Sequence, residues 1–161
     1  MVRFTSNLHR AIRNAWYSLL LFFTFCLLFL LTFIPEMLCG QVTGLWKTID
    51  DLHGEEIAII QIYERDNKLF GKVIQLLPAA KRTTCEGCSG SMKNKPITGM
   101  DIIQSLTITS KGGEKGKVLD PGSGLMYNCF IELVSHDKLK LRGYLGIPSI
   151  GRTQYWYRVA G

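Results

Sequence analysis

Beyond residue 40 the chain alternates apolar and polar positions with a period of two, in one short run after another. In the first run Gly44, Trp46, Thr48 and Asp50 share one face, and Leu45, Lys47, Ile49 and Asp51 share the other. Ile57–Tyr63 (IAIIQIY) and Leu69–Leu77 (LFGKVIQLL) are rich in β-branched and aliphatic residues and read as a hairpin around the polar residues 64–68. Gly71 within it suggests a bulge or bend. A strand over Asp101–Thr109, a Gly/Lys turn and a short strand at 117–119 follow, then the turn signal Asp120-Pro121-Gly122-Ser123-Gly124. Leu125–Val134 and Leu139–Leu145 make a second hairpin around residues 135–138, and Arg152–Arg158 is the last run. No amphipathic helix of useful length follows residue 40. About eight sequential strands joined by turns predict an all-β fold, a small antiparallel up-and-down barrel or a sandwich. A barrel pairs the first run with the last and leaves no exposed edge.

The hairpin strands set the inward phase. Tyr127, Cys129, Ile131 and Leu133 share a face, as do Leu139, Leu141, Gly143 and Leu145, so Cys129 is expected inside and Arg142 outside. In the terminal strands Trp46 lies with Thr48 and Asp50, and Trp156 lies with Arg152, Gln154 and Arg158. An antiparallel register that sets Trp46 opposite Arg158 also sets Asp50 opposite Gln154, one diagonal step from Arg152. If both indoles point inward, Trp46, Asp50, Arg152, Gln154 and Trp156 form a polar cluster in the barrel, able to hold the polar end of a ligand. In the purely structural alternative, Asp50 and Arg152 satisfy each other at one barrel end.

Residues 1–40 read as an address. Positions 15–34 carry no charge and follow Arg3, Arg10 and Arg13, the pattern of an export signal. The apolar stretch is also long enough to be an uncleaved anchor helix in the inner membrane. In both cases residues 41–161 are expected outside the cytoplasm, periplasmic or secreted. Cys39 invites a lipoprotein reading, but Glu36-Met37-Leu38 lacks the small residues that such processing prefers.

The formal charge is +6, of which residues 41–161 hold +4, on scattered side chains. That pattern suits a solvated surface rather than a nucleic-acid face. The long loop at 78–99, with two prolines and the Cys85-x-x-Cys88 pair, reads as functional or mobile. Three arrangements stay open for its cysteines: a local Cys85–Cys88 disulfide, a bridge from one of them to Cys129, or a zinc site completed by His136. No nucleophile elbow, zinc-protease motif or phosphate loop is present, and His53 and His136 sit in turns. Asp50 and Asp51 point to opposite faces and cannot act as a dyad. The sequence therefore signals no catalytic residues, cofactor or metal.

The ordered motifs Gly44-x-Trp46-x-Thr48-Ile49-Asp50-Asp51, Cys85-x-x-Cys88, Asp120-Pro121-x-x-Gly124-x-x-Tyr127-x-Cys129, Arg142-Gly143-Tyr144-x-Gly146 and Gly151-Arg152-Thr153-Gln154-x-Trp156-x-Arg158 resemble a bacterial exported family of unknown function, domain of unknown function 2147. More loosely, Gly44, Trp46 and Arg158 are similar to the calycin signature, a Gly-x-Trp on the first strand beneath an Arg of the last. That resemblance implies a lipocalin-like eight-stranded barrel with one open end. The expected function is an exported binding module for a small amphipathic or apolar ligand in the cell envelope, with the 78–99 loop as lid. The alternative is a structural or protein-interaction module of the envelope, its barrel filled by side chains.

Overall fold

The two-residue period is realised as eight strands: β1 (Gly44–Ile49), β2 (Glu56–Arg65), β3 (Lys68–Leu76), β4 (Asp101–Thr109), β5 (Gly112–Asp120), β6 (Leu125–Ser135), β7 (Lys138–Tyr144) and β8 (Gly151–Arg158). Each pairs antiparallel with the next, and β8 returns to β1 to close a barrel. The structure, a computed structural model, describes residues 42–50 and 53–159, together with Trp16 and residues 22–26, which are helical. The signal or anchor reading of residues 1–40, with Cys39, lies outside the described residues. Among the described residues no helix is long and apolar enough to cross a membrane.

Turn chemistry gives the barrel two unlike ends. Asp66 and Asn67 both have positive φ, 51° and 58°, the backbone of a two-residue type I′ turn whose twist matches the strands it joins. The strands therefore run on to Arg65 and resume at Lys68, which shortens the polar turn expected at 64–68. The tight β4–β5 and β6–β7 turns, the start of β1 and the finish of β8 lie at this same end. The longer connections, at 50–55, 77–100, 121–124 and 145–150, gather at the other end, the mouth.

The closed end is packed solid. Trp46, Ile62, Leu69, Leu106, Ile131 and Leu139 are each at most 2% exposed. Trp46 stands opposite Arg158 and Thr48 opposite Trp156, the register considered above, but the ladder stops at Thr48 and does not extend to Asp50 and Gln154. The Arg158 guanidinium sits 4.2 Å above the centre of the Trp46 ring. It donates from Nε to the His136 carbonyl (2.9 Å) and from its terminal NH to the Thr43 carbonyl (3.2 Å). Trp46 in turn donates from Nε1 to the Val42 carbonyl at 2.9 Å. A side chain at position 44 would approach the guanidinium at 3.0 Å from a φ of +129°, so glycine is needed there.

Two expectations are corrected. Residues 112–116, read as a turn, belong to a full-length β5. Glycine normally punctuates strands, but here it makes room. A Cβ at Gly113 would lie 3.0 Å from the Leu106 side chain, and one at Gly116 would lie 2.7 Å from it. Leu145, expected to face inward at the finish of its strand, lies beyond the strand's last residue, Tyr144, at the barrel opening, where it lines the interior while 61% exposed. Arg142 sets that boundary: it donates to the carbonyls of Pro148 (3.0 Å) and Ser149 (3.1 Å) and to Thr153 Oγ1 (2.8 Å), holding the β7–β8 connection.

The 77–100 connection is built, not loose. A disulfide joins Cys85 to Cys88, which removes both the bridge to Cys129 and the zinc site from the arrangements left open. The Cys85 N–H donates to the Lys95 carbonyl, the Asn94 N–H donates to the Cys85 carbonyl, and Thr84 bridges to Pro96. A single turn of 3-10 helix spans Gly90–Met92. Gly87 packs directly on the backbone of Ser123 and Gly124, pinning the disulfide turn to the β5–β6 connection. Cys129 points inward as expected, is fully buried and is a free thiol.

Two outcomes follow. Gly124 has φ +72°, and a Cβ there would collide with the Gly87 carbonyl. Gly124→Ala should therefore cost at least about 2 kcal/mol in a urea melt, from backbone strain and overpacking together. Burial pushes the Cys129 thiol up from 9.0 to about 12, against a smaller opposing pull from Lys117. A raised folded-state pKa means the thiol's contribution to stability is intact below pH 9 and is lost as pH rises toward 12. Denaturant melts across that window should show an alkaline loss of roughly 4 kcal/mol that Cys129→Ala removes.

Candidate functional site

Inward side chains of the mouth half do not meet across the axis. They leave a cavity of about 570 Å3 that opens between the longer connections. Its walls are apolar, drawn from alternate positions of the strands, such as Ile60, Val73, Ile102, Val118 and Leu141. Ala79, Ala80, Lys81, Arg82 and Ile97 of the 77–100 connection complete one side of the opening. Sequence reasoning named this connection as a lid without naming these residues. The signal was present in the small apolar pair after Pro78, directly before two cations.

Four of the five residues singled out for ligand contact line this cavity: Asp50, Arg152, Gln154 and Trp156. They do so because β8 presents Arg152, Gln154 and Trp156 on its inward face, and Asp50 follows β1 on the same face as Thr48. Trp46 is placed elsewhere. It lies one step beyond Thr48 toward the closed end, fully buried beneath Arg158. The Gly44, Trp46 and Arg158 group is thus a closure element, separate from the cavity.

Polarity is graded along the axis. The charged residues of the lining are Asp50, Lys81, Arg82, Asp120 and Arg152, all at strand ends or in mouth connections. Asp50 Oδ2 lies 3.1 Å from His53 Nδ1, at hydrogen-bond distance, and forms an ion pair with Lys81 Nζ at 3.6 Å, tying the β1–β2 turn to the 77–100 connection. Asp120 accepts from the Gly122 N–H (2.9 Å) and the Ser123 hydroxyl (2.8 Å), an Asx turn that shapes the β5–β6 connection. Deeper in, Thr48 Oγ1 donates to the Ala58 carbonyl at 3.4 Å. Trp156 is 2% exposed, and its indole Nε1, buried among its neighbours, has no hydrogen-bond partner among the described residues.

Such an arrangement can enclose the body of a small molecule in apolar surface and meet its polar parts at a charged rim. Among the described residues no cluster of three or more His, Cys, Asp or Glu side chains is arranged to hold a metal ion. Cys129, Cys85 and Cys88 lie outside the lining.

Comparison with known structures and sequences places the fold. The chain superposes on protein HP1028 from the human pathogen Helicobacter pylori, described as belonging to the lipocalin family, with a TM-score of 0.65 at 16% identity. The match covers 74% of this chain and 83% of that one. A search of curated proteins gave no match. The model of a bacterial family described as "Uncharacterized protein conserved in bacteria (DUF2147)" matches residues 44–158, from the glycine that opens β1 to the arginine that closes the barrel. The chain belongs to that family.

Proposed function

We propose that this protein is an exported binding module that holds a small amphipathic or apolar ligand in the mouth half of its barrel. The observation that carries this reading is the cavity. At about 570 Å3 it lies in the range of small-molecule sites, and its apolar walls and charged rim match an amphipathic guest. The lipocalin-like architecture supports the same reading, because a barrel of eight strands is just wide enough to hold one small ligand. Asp50, Arg152 and Gln154 would meet the guest's polar parts near the opening, with Trp156 below them. The Cys85–Cys88 disulfide supports an oxidising, extracytoplasmic location. The apolar, uncharged run at 15–34 would serve there as a signal or as an inner-membrane anchor.

One observation favours a second role at the same end. Leu145, Ile147 and Ile150 beside the mouth are 61%, 57% and 70% exposed, an apolar rim that an envelope protein partner could cover.

Native mass spectrometry of the protein recovered from the cell envelope tests the binding reading. A retained non-covalent mass of a few hundred daltons is expected. Val73→Phe, which grows a side chain into the cavity, should fold and lose that mass, with affinity reduced at least about tenfold. Bare polypeptide from both proteins, with no small molecule taken up on exposure to an envelope lipid extract, would turn the assignment toward the interaction role. Arg152→Met separates the two readings of the polar rim. Because Arg152 is exposed, its loss should change stability by less than about 1 kcal/mol while weakening an anionic guest. A fall of several kcal/mol with no change in uptake would make that residue structural.

A further inference from the structure

Charge in the cavity lining varies with depth, but hydrogen-bonding capacity varies around the ring. β2, β3 and β4 contribute Ile57, Ala58, Ile60, Val73, Leu76 and Ile102, and none of these side chains can donate or accept. Across the ring of eight strands stand β6, β7 and β8. There Tyr127, Gln154 and Arg152 line the cavity, with Leu141 and Gly143 of β7 between them. Gln154 pairs across to Leu141, and Arg152 to Gly143. Gly143 leaves that wall open, since even a Cβ there would meet Val118 only at 3.5 Å and Tyr127 at 3.8 Å. Gln154 carries the polarity below the charged rim. It lies two residues along β8 from Arg152 toward the packed end, roughly 7 Å at the usual rise of a strand. Its side chain is half-buried and makes no hydrogen bond among the described residues. Among those residues the Trp156 indole nitrogen is the one side-chain N or O that is both sealed and unpartnered, so the Gln154 carboxamide keeps accessible surface.

We infer that the guest is a facial amphiphile: a rigid, ring-built molecule with hydroxyl or carbonyl groups along one face and bare hydrocarbon on the other. This rests on the binding function proposed above and names the class of molecule. A guest that fills the bore strips water from the Gln154 carboxamide. A fatty chain is apolar all round and offers nothing in return, and a dehydrated amide left unpaired is costly. A ring system holds its two faces apart and can serve both walls at once. Its bare face lies on the β2–β4 wall, against residues such as Val73 and Ile102. Its polar face turns to Gln154, on the side that also holds Tyr127. An acid group on the same molecule stays at the rim, with Arg82 and Arg152.

A competition read by native mass spectrometry tests this. Protein recovered from the cell envelope is offered an equimolar mixture of cholate, 5β-cholanate and dodecanoate. The first two share a ring skeleton and a carboxylate and differ only in the hydroxyls of one face; dodecanoate is a head and a tail. Cholate should be the probe retained most. Gln154→Leu keeps the bulk and removes the amide, so it should lower the cholate-to-cholanate ratio about five- to tenfold, the worth of one hydrogen bond. The inference is overturned if cholanate or dodecanoate dominates on the wild-type protein, or if the ratio survives Gln154→Leu. Should the variant not fold, the side-chain NH2 resonances of Gln154 in the wild-type protein decide. They should move with cholate and not with cholanate; equal shifts overturn the inference. Uptake of no probe by a protein that retains its own small molecule also overturns it. Uptake of no probe by a protein that carries no small molecule is a separate result, the failure of the binding function itself.

Discussion

Bending a sheet into a cylinder removes its edges only if the first strand finds the last. Here that meeting depends on one residue pair. Arg158 covers the Trp46 ring and fastens the carbonyls of His136 and Thr43, so a single guanidinium ties β8 to the approach of β1 and to the β6–β7 turn. Stacked on an indole and hydrogen-bonded to neutral carbonyls, a weakly hydrated guanidinium loses less on burial than an ammonium would. Everything at that end follows from it. Once Trp46 is held, Ile62, Leu69, Leu106 and Leu139 fill the remaining bore.

The cavity is the counterpart of that packing. Large side chains crowd the closed end so densely that β5 must carry glycines where its neighbours carry leucine. Toward the mouth Thr48, Ala58, Val73 and Gly143 stand among the larger inward residues, and the walls no longer touch. The disulfide turn then shapes the opening without entering the core of the barrel, because Gly87 seats it on the Ser123–Gly124 backbone. Stability and site are therefore separated along one axis, with little chemistry shared between them.

Much of this was legible in the order of side chains. Alternation and turn residues gave the strand number. The face pattern grouped Asp50 with Thr48, and Gln154 with Trp156, as residues of one face, and all four line the cavity. What escaped depends on depth along the axis, which a period of two does not encode. Trp46 and Trp156 read alike in the sequence, yet two residues of rise separate a sealed indole from one at a cavity. Gly112, Gly113 and Gly116 looked like a turn because local rules cannot see what the neighbouring strands bring against them, the Ile131 carbonyl at Gly112 and the Leu106 side chain at Gly113 and Gly116. The contribution of Lys81, Arg82 and Ile97 to the opening depends on how a disulfide folds a loop back, a non-local event.

The seam itself is uneven. β1 meets β8 at three positions, Trp46 to Thr48, whereas β7 meets β8 at seven. Past Thr48, β1 turns aside, its Asp50 N–H going to the Glu55 carbonyl. On that side the stretch of β8 from Gly151 to Tyr155 runs without β1 beside it. The cylinder is thus a split collar, riveted at its base and slit at its rim next to Gln154. Its calibre is fixed at the packed end, where Trp46, Lys47 and Thr48 pair with β8 and Arg158 covers the seam. At the rim the outline of the opening is set instead by the connections that surround it, the disulfide-braced 77–100 segment among them.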